Sequence, residues 1–525
     1  MGIHTVDYFE EDGPFTKDIA LERFSLEPIL SKAEESKQST WEMIKIYKTA
    51  VFASTFIGLA AINWGMDGLL SAGVIAVPSF QRDFGDPFGT GFLISSNWQI
   101  AFNTVPSLGG LMGSIATGVM ADRLGKRVTL GAACMMSIVA VFVQVFAAGR
   151  WILLLGKFIN GFPLGAFLTI ASSYAAEVCP VEIRGLTTSG VQLFVGFGQF
   201  LANLVLKGTG TLDSTLAYKI PFALQFFFPI IIIIGLPFCP ETPWYLLRKG
   251  LPNNAIMSLA RLGFPSPATT LAEMQKTIEN EAKTQGSTSY TDCFRGSDLQ
   301  RTEVAMGVFS VAQLTGVVFV IGYSSFFFEL AGLSASSSFS LSLCVTILGL
   351  CGVVSSWFLI NSIGRRSLLF IGNTTIVGIL VIVGILDIIP VAPGTTTAVY
   401  GQVAGIIAFA FVYFISVGPV GWALFAEISS ARLRSRTVGL GIVVQNVFGI
   451  GLNVLMPILI NPDALNLKGK IGFIFAITAG LSSVWVYFRV PETAQKSFED
   501  LDNMFEQGVS ARKSKGWKSQ VEHVD

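Results

Sequence analysis

Two ionisable side chains of opposite charge lie in long apolar stretches, where a bilayer would make them costly. Asp67 sits in Asn63-Trp64-Gly65-Met66-Asp67-Gly68, and Lys157 in Gly156-Lys157-Phe158-Ile159-Asn160-Gly161. A charge at the centre of a membrane helix costs about 2.5–3.5 kcal/mol on insertion scales, so each is expected to face a cavity or a partner. A nearby cation lowers a carboxylate's pKa and burial raises it, so the pair can take up and release a proton. The competing reading is a static ion pair that packs two helices. A second group carries amides and rings: Gln192, Gln313, Gln445 and Asn446, with Tyr323 and with Trp422 after a Gly418-Pro419 break. Amides can bond hydroxyls and rings can stack on an apolar ligand face. Singly, each amide is equally well read as interhelical glue, worth about 0.6 kcal/mol on average.

A third group is repeated. Lys126-Arg127 recurs 239 residues later as Arg365-Arg366. Glu177, with Arg184 seven residues on, recurs 250 residues later as Glu427 with Arg434. Pro240-Glu241-Thr242 recurs 251 residues later as Pro491-Glu492-Thr493. Each copy follows a long apolar segment, so the chain reads as two membrane-embedded halves of one design, an architecture of transporters with a site at the interface. Asp122, Arg123, Arg127, Glu177, Arg184, Arg365, Arg366, Glu427 and Arg434 are expected to form latches at helix ends. There the charges of 118–127 can pair with Glu177–Arg184 or Glu427–Arg434 and bias one conformation over another. The bland reading is that these cations only anchor topology.

The elements that must position these groups are helices. Of 525 residues, 51% are hydrophobic and only 13% charged, about half the usual share of a soluble domain, and mean hydropathy is +0.61. With about 20 apolar residues needed per crossing, twelve spans fit: 50–77, 97–119, 128–147, 151–175, 186–207, 220–239, 302–329, 337–360, 367–389, 398–425, 437–460 and 470–489. The implied organisation is a tail at 1–48, a six-helix half at 49–239, a linker at 240–300 with a surface helix at 271–282, a second half at 301–489, and a tail at 490–525. The first 40 residues are polar and acidic, and read as a disordered tail without a cleavable signal. With the N-terminus inside, sixteen Lys and Arg fall in inner loops and six in outer ones, which puts both termini and the linker in the cytoplasm. The 35 basic and 35 acidic residues cancel, so no nucleic-acid partner is implied. The six cysteines lack metal-ligand spacing, and the two histidines, His4 and His523, lie in the tails; no cofactor, metal or histidine relay is expected. No nucleophile–base set or phosphate loop suggests an enzyme.

Beyond the repeats, the matching strings are Gln313-Leu-Thr-Gly316, Gly418-Pro419-Val-Gly-Trp422, Pro240-Glu241-Thr242-Pro243-Trp244, Phe498-Glu499-Asp500-Leu501 and Tyr174-Ala-Ala-Glu-Val-Cys-Pro180. On these the chain resembles the sugar porter family of the major facilitator superfamily over roughly residues 45–505, and within it fungal α-glucoside and hexose permeases. The resemblance implies an all-α integral membrane fold of twelve transmembrane helices in two six-helix pseudo-repeats. It also implies a multi-pass plasma-membrane protein that imports a sugar, an α-glucoside or a hexose, by proton symport through alternating access. Its partners would be the sugar, the proton and the lipid bilayer. It gives Asp67 the proton-coupling role with Lys157 at a position usually held by Arg, and matches Gln192, Gln313, Tyr323, Trp422, Gln445 and Asn446 to sugar contacts. Ala312, Val318, Gly322, Gly349 and Phe414 depart from the polar residues of hexose carriers, so the pocket reads as less polar, and as wider or suited to a less polar molecule. A carrier or exporter of a specialised metabolite, and a transporter-like nutrient sensor, are the alternatives.

Overall fold

The computed structural model describes residues 40–88, 91–285, 290–389, 397–428, 433–494, 496 and 498–517. The 1–39 part of the expected N-terminal tail lies outside them. Among the described residues, eleven helices are long and apolar enough to cross a membrane. In the first half these are Lys48–Gly73, Ser96–Leu124, Lys126–Val145, Arg150–Val178, Val181–Thr209, and a sixth built from Leu216–Leu224, Phe227–Gly235 and the 3₁₀ turn Leu236–Phe238. In the second half they are Ala335–Ile363, Arg365–Ile388, Thr397–Ile415 with Val417–Ile428, Arg434–Ile460 and Ile471–Arg489. The twelfth crossing, seventh in order, is interrupted: Gly296–Leu314, a wide π turn Val318–Gly322, then Ser324–Leu330. The break falls at Gly316, which takes a left-handed φ of +87°. One element is not helical. Asp86–Phe88 pairs antiparallel with Gly91–Leu93 between the first two spans.

The repeated motifs build one structure twice. The loop between the second and third spans turns at Gly125, φ +88°, and its counterpart between the eighth and ninth at Gly364, φ +92°. Only glycine takes these angles freely, and a Cβ at either would lie 2.6 Å from a carboxylate oxygen of Glu241 or Glu492. Those carboxylates cap the next helix. Glu241 accepts from the amides of Lys126 and Arg127, both at 3.1 Å, and Glu492 from the amide of Arg365 at 2.8 Å. Capping supplies acceptors for helix-start amides and sets negative charge against the positive end of the helix dipole. Each basic side chain then pairs with the acid of its own half. Lys126 Nζ lies 2.7 Å from Glu177, and Arg365 reaches Glu427 through Nη2 at 3.0 Å and Nε at 3.3 Å. The next basic residue in each motif donates to a carbonyl at the end of the last span of its half, Arg127 to Pro237 and Arg366 to Tyr487.

Of the pairings expected for the latch, Lys126 with Glu177 is present. The pairs seen are internal to each half, and Glu427 is held by Arg365 and by Thr493 at 2.5 Å rather than by the 118–127 motif. Asp122 and Arg123 are exposed, and Arg123 contributes its carbonyl, which accepts from Tyr245. The Arg184 and Arg434 side chains lie outside the described residues.

Segments flanking the halves pack onto them. The surface helix runs Pro267–Gln285, longer at both ends than 271–282, preceded by Pro252–Leu262. Ser258 of that shorter helix donates to the Glu241 carbonyl at 2.5 Å. After the last span, Phe498–Glu506 buries Leu501, Met504 and Phe505, and Arg301 lies 4.7 Å over the Phe505 ring. Buried Ser514 accepts from the Glu492 amide at 2.8 Å. Burial pulls the Lys496 amine below its ordinary pKa, opposed by Glu492 and Asp500.

Glu241→Ala removes the acceptor of two helix-start amides and is expected to destabilise the protein by about 1–2 kcal/mol. Thermal unfolding in detergent checks this; an unchanged midpoint would show that the cap contributes nothing.

Candidate functional site

Asp67 and Lys157 are brought into one polar cluster inside the first half, 4% and 2% exposed. They do not form the direct ion pair that their charges suggest. Two amides already satisfy the carboxylate: Asn160 donates to Oδ1 at 3.1 Å and Gln225 at 3.3 Å. The ammonium instead donates to Ser71 at 2.9 Å, one turn beyond Asp67 on the same helix, and lies 5.3 Å over the Phe222 ring. Asn160 accepts from Ser137 at 3.0 Å and donates to Gln225 at 3.2 Å. The first, third, fourth and sixth spans thus meet through polar side chains, as buried polar groups require. Asp67 Oδ2 has no hydrogen-bond partner among the described residues. Asn160, Gln225, Ser71 and Ser137 were not singled out from sequence. The available signal was a polar residue within an apolar span, which alone does not say what it touches.

The amide set comes from spans of both halves. On the fifth span Gln192, Gly196, Gln199 and Asn203 share a face by their spacing. Asn203 donates to the Ser342 carbonyl of the eighth span at 3.0 Å, and a Cβ at Gly196 would meet Leu350 of that span. Gln192 lies on the same stripe, half-buried. On the eleventh span Asn446 sits two turns before Asn453, which reaches the second span; Gln445 is adjacent. On the seventh, Gln313 lies one turn after Phe309, and its Oε1 is buried without a partner. The side-chain amides of Gln192, Gln445 and Asn446 likewise have no hydrogen-bond partner among the described residues. Trp422 packs edge-on against Phe309 at 5.0 Å and belongs to the wall beside Gln313. At Gly349 the room left by the missing side chain is taken up by Phe414, whose ring lies 2.7 Å from where a Cβ would stand. This corner is apolar without being wider.

Tyr323 has a different position. It is 1% exposed, and its hydroxyl accepts from Asn103 at 2.8 Å. It is part of a seam that joins the halves at the end opposite the repeated motifs. Asp463 accepts from the Ser96 amide at 2.8 Å and from its hydroxyl; Gln99 donates to Asn461 at 2.7 Å, and Asn453 to Ser107 at 2.9 Å. Between described residues, none of the hydrogen bonds or ion pairs at the motif end crosses from one half to the other. Among the described residues, the halves are hydrogen-bonded at one end and not at the other.

Two six-helix halves packed side by side, a polar cluster in one, and amides without a partner among the described residues make up a carrier's anatomy. A profile of the sugar (and other) transporter family matches residues 50–505. The chain belongs to that family. A general alpha-glucoside permease of Saccharomyces cerevisiae is 31% identical over 495 residues, covering 92% of this chain and 79% of the permease. A maltose permease of the same organism is 31% identical over 510 residues, covering 94% and 82%. In fold the chain is similar to the xylose transporter XylE from E. coli in an inward-open conformation, at a TM-score of 0.69 and 19% identity, covering 86% of this chain and 99% of that one. This member of the sugar transporter family is thus a multi-pass membrane protein of the major facilitator fold.

Gln192→Ala, Gln313→Ala and Gln445→Ala are each expected to raise the substrate concentration for half-maximal uptake by about 5- to 150-fold, the equivalent of about 1–3 kcal/mol for a lost hydrogen-bond partner. Uptake assays corrected for surface expression measure it. Unchanged affinity in all three would place the pocket elsewhere.

Proposed function

We propose that this protein is a proton-coupled importer of an α-glucoside, working by alternating access across the plasma membrane. The observation that carries the reading is the set of side-chain amides on the fifth, seventh and eleventh spans that have no hydrogen-bond partner among the described residues, in a chain 31% identical to an alpha-glucoside permease. A glucoside presents hydroxyls to such amides and an apolar ring face to Trp422. Phe414 against Gly349 favours a ligand that tolerates an apolar wall. A hexose is the second substrate class, since the proton:xylose symporter XylE was solved with a halogenated deoxyglucose, a hexose derivative.

Coupling follows from the cluster. Outward opening exposes Asp67, and Oδ2 takes a proton. Neutralisation removes a buried charge and lets the first and fourth spans shift with substrate bound. Inward opening releases both. Lys157, held on Ser71, keeps a cation in the same cluster as the carboxylate. With the motif end in the cytoplasm, as the loop charges indicate, the bonded seam is the outer gate and this conformation is inward-facing.

Asp67→Asn keeps the size and an amide oxygen but removes the titratable group. Uphill accumulation in proteoliposomes with an imposed pH gradient should be lost while substrate exchange survives. Lys157→Arg should retain uphill transport. Intact accumulation by the Asn variant would end the coupling role, and net efflux driven by the same gradient would make the protein an exporter.

A reporter glycosylated only outside the cell, placed at residue 270 or at the C-terminus, should stay unmodified. Its glycosylation at either place would invert the topology.

A further inference from the structure

A groove of about 310 Å³ opens on the outer flank of the first half, where the first span begins and the sixth ends. None of the candidate site residues lines it. Its walls are aromatic: Phe52 and Phe238 stand at its mouth, 71% and 78% exposed, with Phe56 deeper in against Gly235. Rings that exposed at the ends of hydrophobic spans face lipid rather than water. The one charged group lining the groove is Arg261, from the helix Pro252–Leu262. It donates through Nη2 to the Phe238 carbonyl at 3.0 Å, and no carboxylate pairs with it among the described residues. Arg127 donates to the preceding carbonyl, Pro237, at 3.2 Å. Two guanidinium groups are therefore pinned by backbone at the last turn of the sixth span, with most of their N–H groups unused.

We propose that this groove binds an anionic phospholipid, with an acyl chain between Phe52, Phe56 and Phe238 and the phosphate on Arg261. The arrangement matches the ligand in sequence along the membrane normal. Apolar surface lies where the spans are still hydrophobic, and a cation lies where they leave the bilayer. A planar guanidinium can offer a phosphate two parallel N–H groups, which an ammonium cannot. Bound lipid would tie the first span, the sixth span and the helix after the first half into one unit. A free anion would use Arg261 but leave the aromatic walls uncovered, and a zwitterionic lipid would use the walls but pair its phosphate internally with its own cation.

The test uses the full-length protein, purified in mild detergent and scored by native mass spectrometry for retained lipid. The added probes are phosphatidylserine, phosphatidylcholine or sodium phosphate. Phosphatidylserine should be retained at least about tenfold better than phosphatidylcholine, a difference of about 1.4 kcal/mol. Arg261→Ala should abolish that preference and Arg261→Lys should weaken it. Thr49→Trp, which fills the groove without touching the charge, should lower retention of both lipids. Equal retention of the two lipids by the native protein would overturn the proposal. So would phosphatidylserine retention unaffected by both Arg261→Ala and Thr49→Trp, or stabilisation by sodium phosphate equal to that by phosphatidylserine. Should Arg261→Ala fail to fold, Thr49→Trp and Arg261→Lys still decide the matter.

Discussion

A helix that begins at a membrane surface exposes amides that have no partner within the helix, and the rest of this structure depends on how two of them are met. Glu241 and Glu492 come from the end of each half and cap the helix that starts its middle, the third span and the ninth. One carboxylate thus ties the last span of a half to its third. The glycines at 125 and 364 exist because the carboxylate must come so close. Lys126 and Arg365, placed by those caps, then reach Glu177 and Glu427 on the fourth and tenth spans. Three helices per half are fixed by about five polar contacts, in a region where hydrophobic packing alone discriminates poorly between neighbours.

Within the first half the same rule acts at depth. A carboxylate and an ammonium both enter the bilayer region, and neither is left bare. Asp67 is held by two neutral amides and Lys157 by a hydroxyl and a ring face. Neutral donors solvate the carboxylate without clamping it as a bidentate cation would. A charge held this way is not locked into an ion pair, which suits the coupling role proposed for Asp67.

The sequence made the twelve crossings legible because each is a long apolar run, and the duplication legible because its motifs are short, charged and evenly spaced. The seventh crossing shows the limit. Asp298, Arg301 and Glu303 near its start and the turn at Gly316 leave no single apolar helix, although the protein crosses there. The site residues were legible as types and not as partners. Asp67 and Lys157 suggested an ion pair, but Asn160 and Gln225, whose positions depend on how the fourth and sixth spans rotate, had claimed the carboxylate. Pro-Glu-Thr was visible as a repeat, yet its capping role needed the loop geometry of a distant glycine. Tyr323 looked like a ligand contact, and its partner Asn103 lies 220 residues away in the other half.

The seam that joins the halves is made of side chains such as Ser96, Gln99, Asn103, Ser107, Asn453, Asn461 and Asp463. Each is a group that water serves nearly as well as a protein partner, so exchanging one for the other changes the free energy by only about 1 kcal/mol per bond. A seam of leucines over the same surface would instead have to expose hydrocarbon on opening, at about 25 cal/mol per Å². The gate is wettable. It can part by trading partners one at a time with incoming solvent, so that a ligand's modest binding energy is enough to decide on which side the protein rests.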